Sequence, residues 1–166
     1  MAIKTLPSMS FGESVKTCFS KYANFSGRAR RSEFWWFYLL NVILGACTTA
    51  VLQWKMSVRA AVEAQLGEAL FDQEKMDALM AQAKACDDKF FPIMCVIGVL
   101  TLILLLPTLA AWARRLHDVG KSGWLILCIF ACGVGGLIPL ILAIPDGKPG
   151  ENQYGPSPKY IPEEVE

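Results

Sequence analysis

Charge is absent from three long stretches of this 166-residue chain: Phe34 to Trp54 (21 residues), Phe90 to Ala113 (24) and Ser122 to Pro145 (24). The 16 basic and 15 acidic side chains crowd into what remains. An ordinary soluble domain spreads roughly 25% charge along its length, so a water-soluble protein built on one core is nearly excluded. Each run reaches the ~20 apolar residues that cross a bilayer core as a helix. Histidine is scarce as well. One His, and six cysteines with no CxxC pair, leave no recognisable zinc site within one chain. Only Cys128 and Cys132 stand four apart, inside an apolar run, and they read as small packing residues. The net charge of +1 gives no reason to expect a nucleic-acid partner. Nucleophile elbow, Walker-type loop and HExxH are all missing, and Gly120-Lys121-Ser122 lacks the upstream glycine of a P-loop. Neither a cofactor nor a metal is expected.

What is present reads as an all-α polytopic membrane protein with about three transmembrane helices, at 34–54, 90–113 and 124–144. The first apolar run starts too late for a cleavable signal core, which implies insertion through an uncleaved helix. Residues 10–25 predict a short interfacial helix. Ser10 followed by Glu13 makes a capping box, and Phe11, Val15, Phe19 and Tyr22 form one apolar stripe. The stripe suits either headgroups or the protein's own helices. Phe34-Trp35-Trp36-Phe37-Tyr38 reads as an aromatic belt, with Trp54 closing the other end of the run. Asn41, Thr48 and Thr49 are expected to face neighbouring helices. Pro92 falls in the first turn of the second run, while Pro107 falls inside it and should kink it.

Residues 55–89 predict a soluble helical arm. Val62, Leu66, Ala69, Gln73, Met76, Met80 and Ala83 give a heptad-like stripe, suited to helix pairing or to a hairpin. Gly67 is a candidate bend. In the third run, Gly133-Val134-Gly135-Gly136 and Pro139 suggest a bend, close helix packing or a re-entrant hairpin. The Gly- and Pro-rich segment 146–166 predicts an extended tail. Three arginines before the first run favour a cytoplasmic N-terminus. Three full spans then put the tail outside, whereas a re-entrant third run returns it.

The chemistry-bearing residues concentrate in two segments. Arg28, Arg30, Arg31 and Glu33 precede the first run; Arg114, Arg115, His117, Asp118 and Lys121 join the second to the third. On one reading Glu33 and Asp118 pair with arginines and pin helix ends together, with the leftover charge meeting anionic lipid headgroups. On the other the arginines hold a phosphate or carboxylate bidentately, and His117 shuttles a proton.

Three motifs carry a family resemblance. Phe25-Ser26-Gly27-Arg28-Ala29-Arg30-Arg31-Ser32-Glu33-Phe34-Trp35 resembles the opening motif of the bacterial inner-membrane family called domain of unknown function 805. Arg114-Arg115-Leu116-His117-Asp118-Val119-Gly120-Lys121-Ser122-Gly123-Trp124 is similar to that family's second signature. Asp146-Gly147-Lys148-Pro149-Gly150-Glu151-Asn152-Gln153-Tyr154-Gly155-Pro156 is similar to its tail. The 55–89 arm is longer and more charged than the family pattern. The resemblance implies a bacterial inner (plasma) membrane location and no assigned activity. The leading expectation is therefore a non-enzymatic accessory or scaffold protein whose basic cytoplasmic face meets anionic lipid or a partner. Its partners would be membrane lipids and a homo-oligomer or membrane-protein neighbour. The rival is a small oligomeric transporter or anion-handling protein.

Overall fold

The computed structural model describes residues 3–68, 71–130 and 136–162. The order is β1 (Ile3–Thr5), α1 (Phe11–Ser20), α2 (Arg31–Glu68), α3 (Gln73–Asp118), a 3-10 helix (Gly123–Phe130), α4 (Leu137–Ala143) and β2 (Tyr160–Pro162). The chain forms two compact units. One holds Met1–Asn41 with Leu104–Glu166, and the other holds Val42–Ile103.

Two helices, α2 and α3, are long and apolar enough to cross a membrane. Only 6% and 11% of their most apolar windows are buried within the chain. A core helix of a soluble protein would be covered; these faces need a nonaqueous surrounding. The third apolar run differs from the other two. It is divided into the eight-residue 3-10 helix and the seven-residue α4. Seven α-helical residues rise roughly 10 Å, about a third of the hydrocarbon core. Gly133, Val134 and Gly135, like Cys132, lie outside the described residues.

In the first unit α1 is capped as its sequence predicts. The Ser10 backbone N–H donates to Glu13 Oε2 at 2.7 Å, and the Glu13 N–H donates back to Ser10 Oγ at 3.4 Å. The Ser10 N–H, with the Ser10 hydroxyl donating to the same oxygen at 2.9 Å, holds the Glu13 carboxyl below its usual range. The buried face of α1 is centred on Ser14 and Cys18, while Phe11 and Phe19 remain partly open. The helix lies on the first turns of α2. Ser14 Oγ donates to Glu33 O, Phe11 meets Trp36 edge-on at 6.0 Å and Phe19 meets Phe37 at 6.1 Å. The predicted belt is thereby split, since Phe34 and Phe37 are core residues and Trp36 stays exposed. Phe34 packs edge-to-face on Trp112 at 4.7 Å, joining α2 to α3. Thr108 donates to Asn41 Oδ1 at 3.0 Å between the same two helices. β1 and β2 pair antiparallel, Lys4 opposite Ile161, so the N-terminal strand and the tail share one face of this unit. That placement suits the alternative in which a re-entrant third run returns the tail to the side of the N-terminus.

In the second unit the 55–89 segment is a helical hairpin, one of the two forms its stripe suits. It consists of the end of α2 and the start of α3. Lys55 and Arg59 both reach Asp87, at 3.2 and 3.5 Å, and Trp54 meets Phe90 edge-on at 5.1 Å. The covered stripe on α3 runs Met76, Leu79, Ala83, Cys86 and Phe90, at spacings of three and four. Met80, placed on the stripe by the sequence pattern, is 54% exposed, and Leu79 takes its place between Met76 and Ala83. Ala69 lies outside the described residues, and α2 continues through Gly67 without ending there. Pro92 is interior to α3, since the helix starts at Gln73 and not at the apolar run; α3 also stays helical through Pro107. Thr48 and Thr49 donate to Leu44 O and Gly45 O of their own helix, which satisfies their hydroxyls without a neighbour.

Candidate functional site

The last turn of α3 places Arg114, Arg115 and Asp118 inward, and all three are buried. Gly120 ends the helix at φ +79°, a left-handed conformation that a side chain disfavours. Its N–H reaches His117 O at 2.9 Å, and the Lys121 N–H reaches Leu116 O at 2.8 Å. The last carbonyls of α3 are then met by the tail. The Lys148 N–H donates to Asp118 O at 3.2 Å, and Asn152 Nδ2 donates to His117 O at 2.9 Å.

Asp118 is the centre of the cluster. Arg28 Nε donates to its Oδ1 at 2.8 Å and Arg115 Nη1 to its Oδ2 at 2.6 Å. Arg28 also donates to Gly150 O at 2.7 Å, Gly155 O at 3.3 Å and Lys148 O at 2.5 Å. Arg115 Nε donates to Ala143 O at 3.0 Å, and its Nη atoms reach Ala29 O and Pro145 O. Two guanidiniums on one carboxylate leave one positive charge. The backbone carbonyls of the tail and of the end of α4 face that excess, as carbonyl dipoles do at a helix C-terminus. Gly147 permits the approach, because a Cβ there would overlap the Asp118 carboxylate.

A second buried pair lies beside the first. Arg114 Nη2 is 3.2 Å from Glu33 Oε1, and both side chains are almost fully enclosed. The Ala29 N–H donates to Arg114 O at 3.0 Å, which ties the segment before α2 to α3. His117 stands at the edge. Its ring stacks on Tyr154 with centroids 3.8 Å apart, and its Nδ1 lies 3.2 Å from Gly27 O.

The nine residues singled out in the sequence divide into four groups. Arg28, Arg115 and Asp118 meet in one centre, Glu33 and Arg114 form the adjacent pair, and His117 borders them. Arg30, Arg31 and Lys121 take no part. Arg30 donates to Leu6 O and Pro7 O, and exposed Arg31 is 3.9 Å from Asp146. Lys121 is exposed, with no ion pair among the described residues. Sequence reasoning about side chains missed Gly147, Asn152, Tyr154 and the carbonyls that the arginines hold. Their only signal was the tail motif, which shows recurrence and not contact. Among the described residues no group of His, Cys, Asp and Glu could hold a metal ion.

Residues 22–156 match the family described as protein of unknown function (DUF805). The chain is 31% identical over 145 residues to inner membrane protein YhaH of Escherichia coli (strain K12), covering 85% of this chain and 92% of that protein. It is 32% identical over 139 residues to inner membrane protein YhaI of the same organism, covering 84% and 89%. No solved structure matches.

Proposed function

The chain belongs to the DUF805 family, and from that premise we propose that it is a multi-pass inner-membrane accessory protein, non-enzymatic, with a cytoplasmic N-terminus. Its arginine-rich centre is a structural clamp, and its remaining surface cations meet anionic lipid headgroups. The observation that carries this reading is the burial of Arg28 and Arg115 among partners inside the chain. A ligand-binding arginine needs free donors. Arg28 and Arg115 direct theirs to Asp118 and to backbone carbonyls. The cations still facing outward, such as Lys16 and Arg31, lie on α1 and at the start of α2. Each such charge near an anionic surface is worth about 1 kcal/mol. The relatives' location supports the membrane assignment, and the arginines before α2 support the orientation.

The test compares two sets of variants of the full chain in membranes. Arg115→Ala should lower abundance and thermal stability, as loss of a clamp does. Lys16→Glu with Arg31→Glu should leave abundance normal and weaken the preference for anionic over zwitterionic lipid in native mass spectrometry. Normal abundance and stability of Arg115→Ala, with loss of transport or catalysis, would overturn the proposal.

A further inference from the structure

Beside the clamp, in the same unit, lies an open cavity of about 510 Å³. Its wall comes from one side of α3 (Leu109, Ala113), from the 3-10 helix (Gly123, Ile126, Leu127) and from Phe25. Nearly all of this wall is hydrocarbon. The 3-10 helix can approach α3 because Gly123 has no side chain: a Cβ there would stand 3.0 Å from His117 Nε2 and 3.2 Å from Ala113 Cβ. The cavity therefore has one ring nitrogen at its polar end. The state of that nitrogen follows from its ring partner. His117 Nδ1 faces Gly27 O at 3.2 Å, and a carbonyl oxygen only accepts, so Nδ1 carries the proton. In the neutral ring Nε2 is then an acceptor, directed to the cavity side, where Tyr154 and Ser122 also border it. Stacking on Tyr154 keeps the ring in that orientation.

We propose that this cavity binds one acyl chain of a membrane phospholipid whose head offers a hydroxyl to His117 Nε2 and an anionic phosphate to Lys121. The apolar wall specifies a hydrocarbon chain, and about 510 Å³ lies in the ordinary range of a small-molecule site. Exposed Trp124 and Leu127, both on the 3-10 helix, also line the cavity. The head is decided by the groups at the polar end. Lys121 adjoins cavity-lining Ser122 and is unpaired among the described residues, and the Lys148 amine lies over Gly120 in the same turn. An ammonium head is repelled there, and an acceptor nitrogen asks for a donor. Phosphatidylglycerol supplies both a phosphate and hydroxyls. The inference rests on the membrane assignment above but not on the surface cations of α1 and α2.

The experiment places the full chain in phosphatidylcholine vesicles containing a minor fraction of phosphatidylglycerol. A phosphatidylglycerol carrying a diazirine in one acyl chain is the probe, with the same diazirine on phosphatidylcholine for comparison. Irradiation should concentrate label within residues 109–127, with phosphatidylglycerol preferred. Leu127→Trp, which fills the opening from an exposed position, should remove most of that label without altering the thermal midpoint. His117→Asn keeps a donor for Gly27 O and loses the Nε2 acceptor; it should cut the phosphatidylglycerol preference about fivefold, the effect of one hydrogen bond. Lys16→Glu with Arg31→Glu should leave the label in place. Label spread evenly along α2 and α3 and indifferent to Leu127→Trp would overturn the site. Equal labelling by the two probes would overturn the head assignment. Loss of the label in the Lys16→Glu, Arg31→Glu variant would reduce it to surface attraction, while leaving the accessory reading intact.

Discussion

Arg28 and Asp118 stand 90 positions apart in the chain and meet at 2.8 Å, both almost fully buried. One residue precedes the first long helix and the other ends the second. Their contact, shared with Arg115, closes the unit formed by both ends of the chain. The cost of taking these charges from water is met only while every partner is present, which makes the cluster sensitive to single changes.

Asp118→Asn is the sharpest of these changes. It removes the negative charge and leaves Arg28 and Arg115 facing each other across a neutral amide. Breaking a buried pair in this way costs about 3–5 kcal/mol. The expected outcome is a large drop in thermal midpoint in detergent, with loss of membrane abundance. A midpoint within a degree or two of the parent would show that Asp118 is not the hub.

Gly147→Ala tests the approach of the tail. The added methyl would overlap the Asp118 carboxylate, which is held by two guanidiniums and cannot swing aside. Overpacking of this kind costs about 1–3 kcal/mol. Gly150→Ala is the companion, because its φ of +82° is strained by a Cβ although nothing crowds it. Trypsin should release the tail faster from both variants, and from Gly147→Ala with loss of the Arg28 contacts as well. Unchanged digestion of Gly147→Ala would place the tail elsewhere.

The strand pairing makes a prediction about topology. Lys4 opposes Ile161, so reporters fused before residue 1 and after residue 166 should report the same side of the membrane. Opposite sides would restore three full spans and break the β1–β2 pair.

Cys18 is fully enclosed, and burial pushes its thiol up to about 12. A chain retaining Cys18 as its only cysteine should resist a water-soluble maleimide at pH 7.5 and react once denatured. Retaining Cys86 alone, half-buried in the hairpin, should give label without denaturation. Prompt labelling of Cys18 would mean that α1 does not lie on α2.

The tail is also held by an exposed pair with a defined pH window. The Lys159 ammonium donates to Asp146 at 2.7 Å, which holds the Asp146 carboxyl below the usual carboxylate range and the Lys159 amine above its own. Arg31, 3.9 Å away, adds to the field. The Asp146 contribution is present above the unfolded value of ~3.9 and lost as pH falls through its lower folded value. The Lys159 contribution is present below ~10.4 and lost as pH rises through its higher folded value. Both groups are solvated, so the whole effect is at most about 1 kcal/mol and fades in high salt. Hydrogen exchange at the Leu6 amide, which donates to Lys159 O at 3.0 Å, should quicken at acid pH after correction for intrinsic rate. Asp146→Asn should remove that acid dependence; its persistence would assign the effect to another group.

The sequence by itself determined what depends on composition and on neighbours a few residues away. Charge-free runs of more than 20 residues place α2 and α3 in a membrane, because hydrocarbon tolerates no unpaired charge. Ser10 and Glu13 announce the start of α1, because a capping box closes within four residues. Helical content at 55–89 is likewise a local property. Tertiary structure alone decided the rest. Of the two forms open to the 55–89 segment the fold takes the hairpin, and it puts Leu79 and not Met80 on the covered stripe. The Gly- and Pro-rich third run reads in sequence as a bend, a close packing or a re-entrant hairpin, and only the fold shows that it is divided and that its far end returns to Arg115. Arg28, Arg114 and Arg115 looked in sequence like candidates for an external anion. Arg28 and Arg115 share Asp118 and hold main-chain oxygens of residues 143–155, and Arg114 pairs with Glu33, 81 positions away. A carbonyl oxygen is the same in every residue, so no pattern of side chains could mark which of them the arginines would hold.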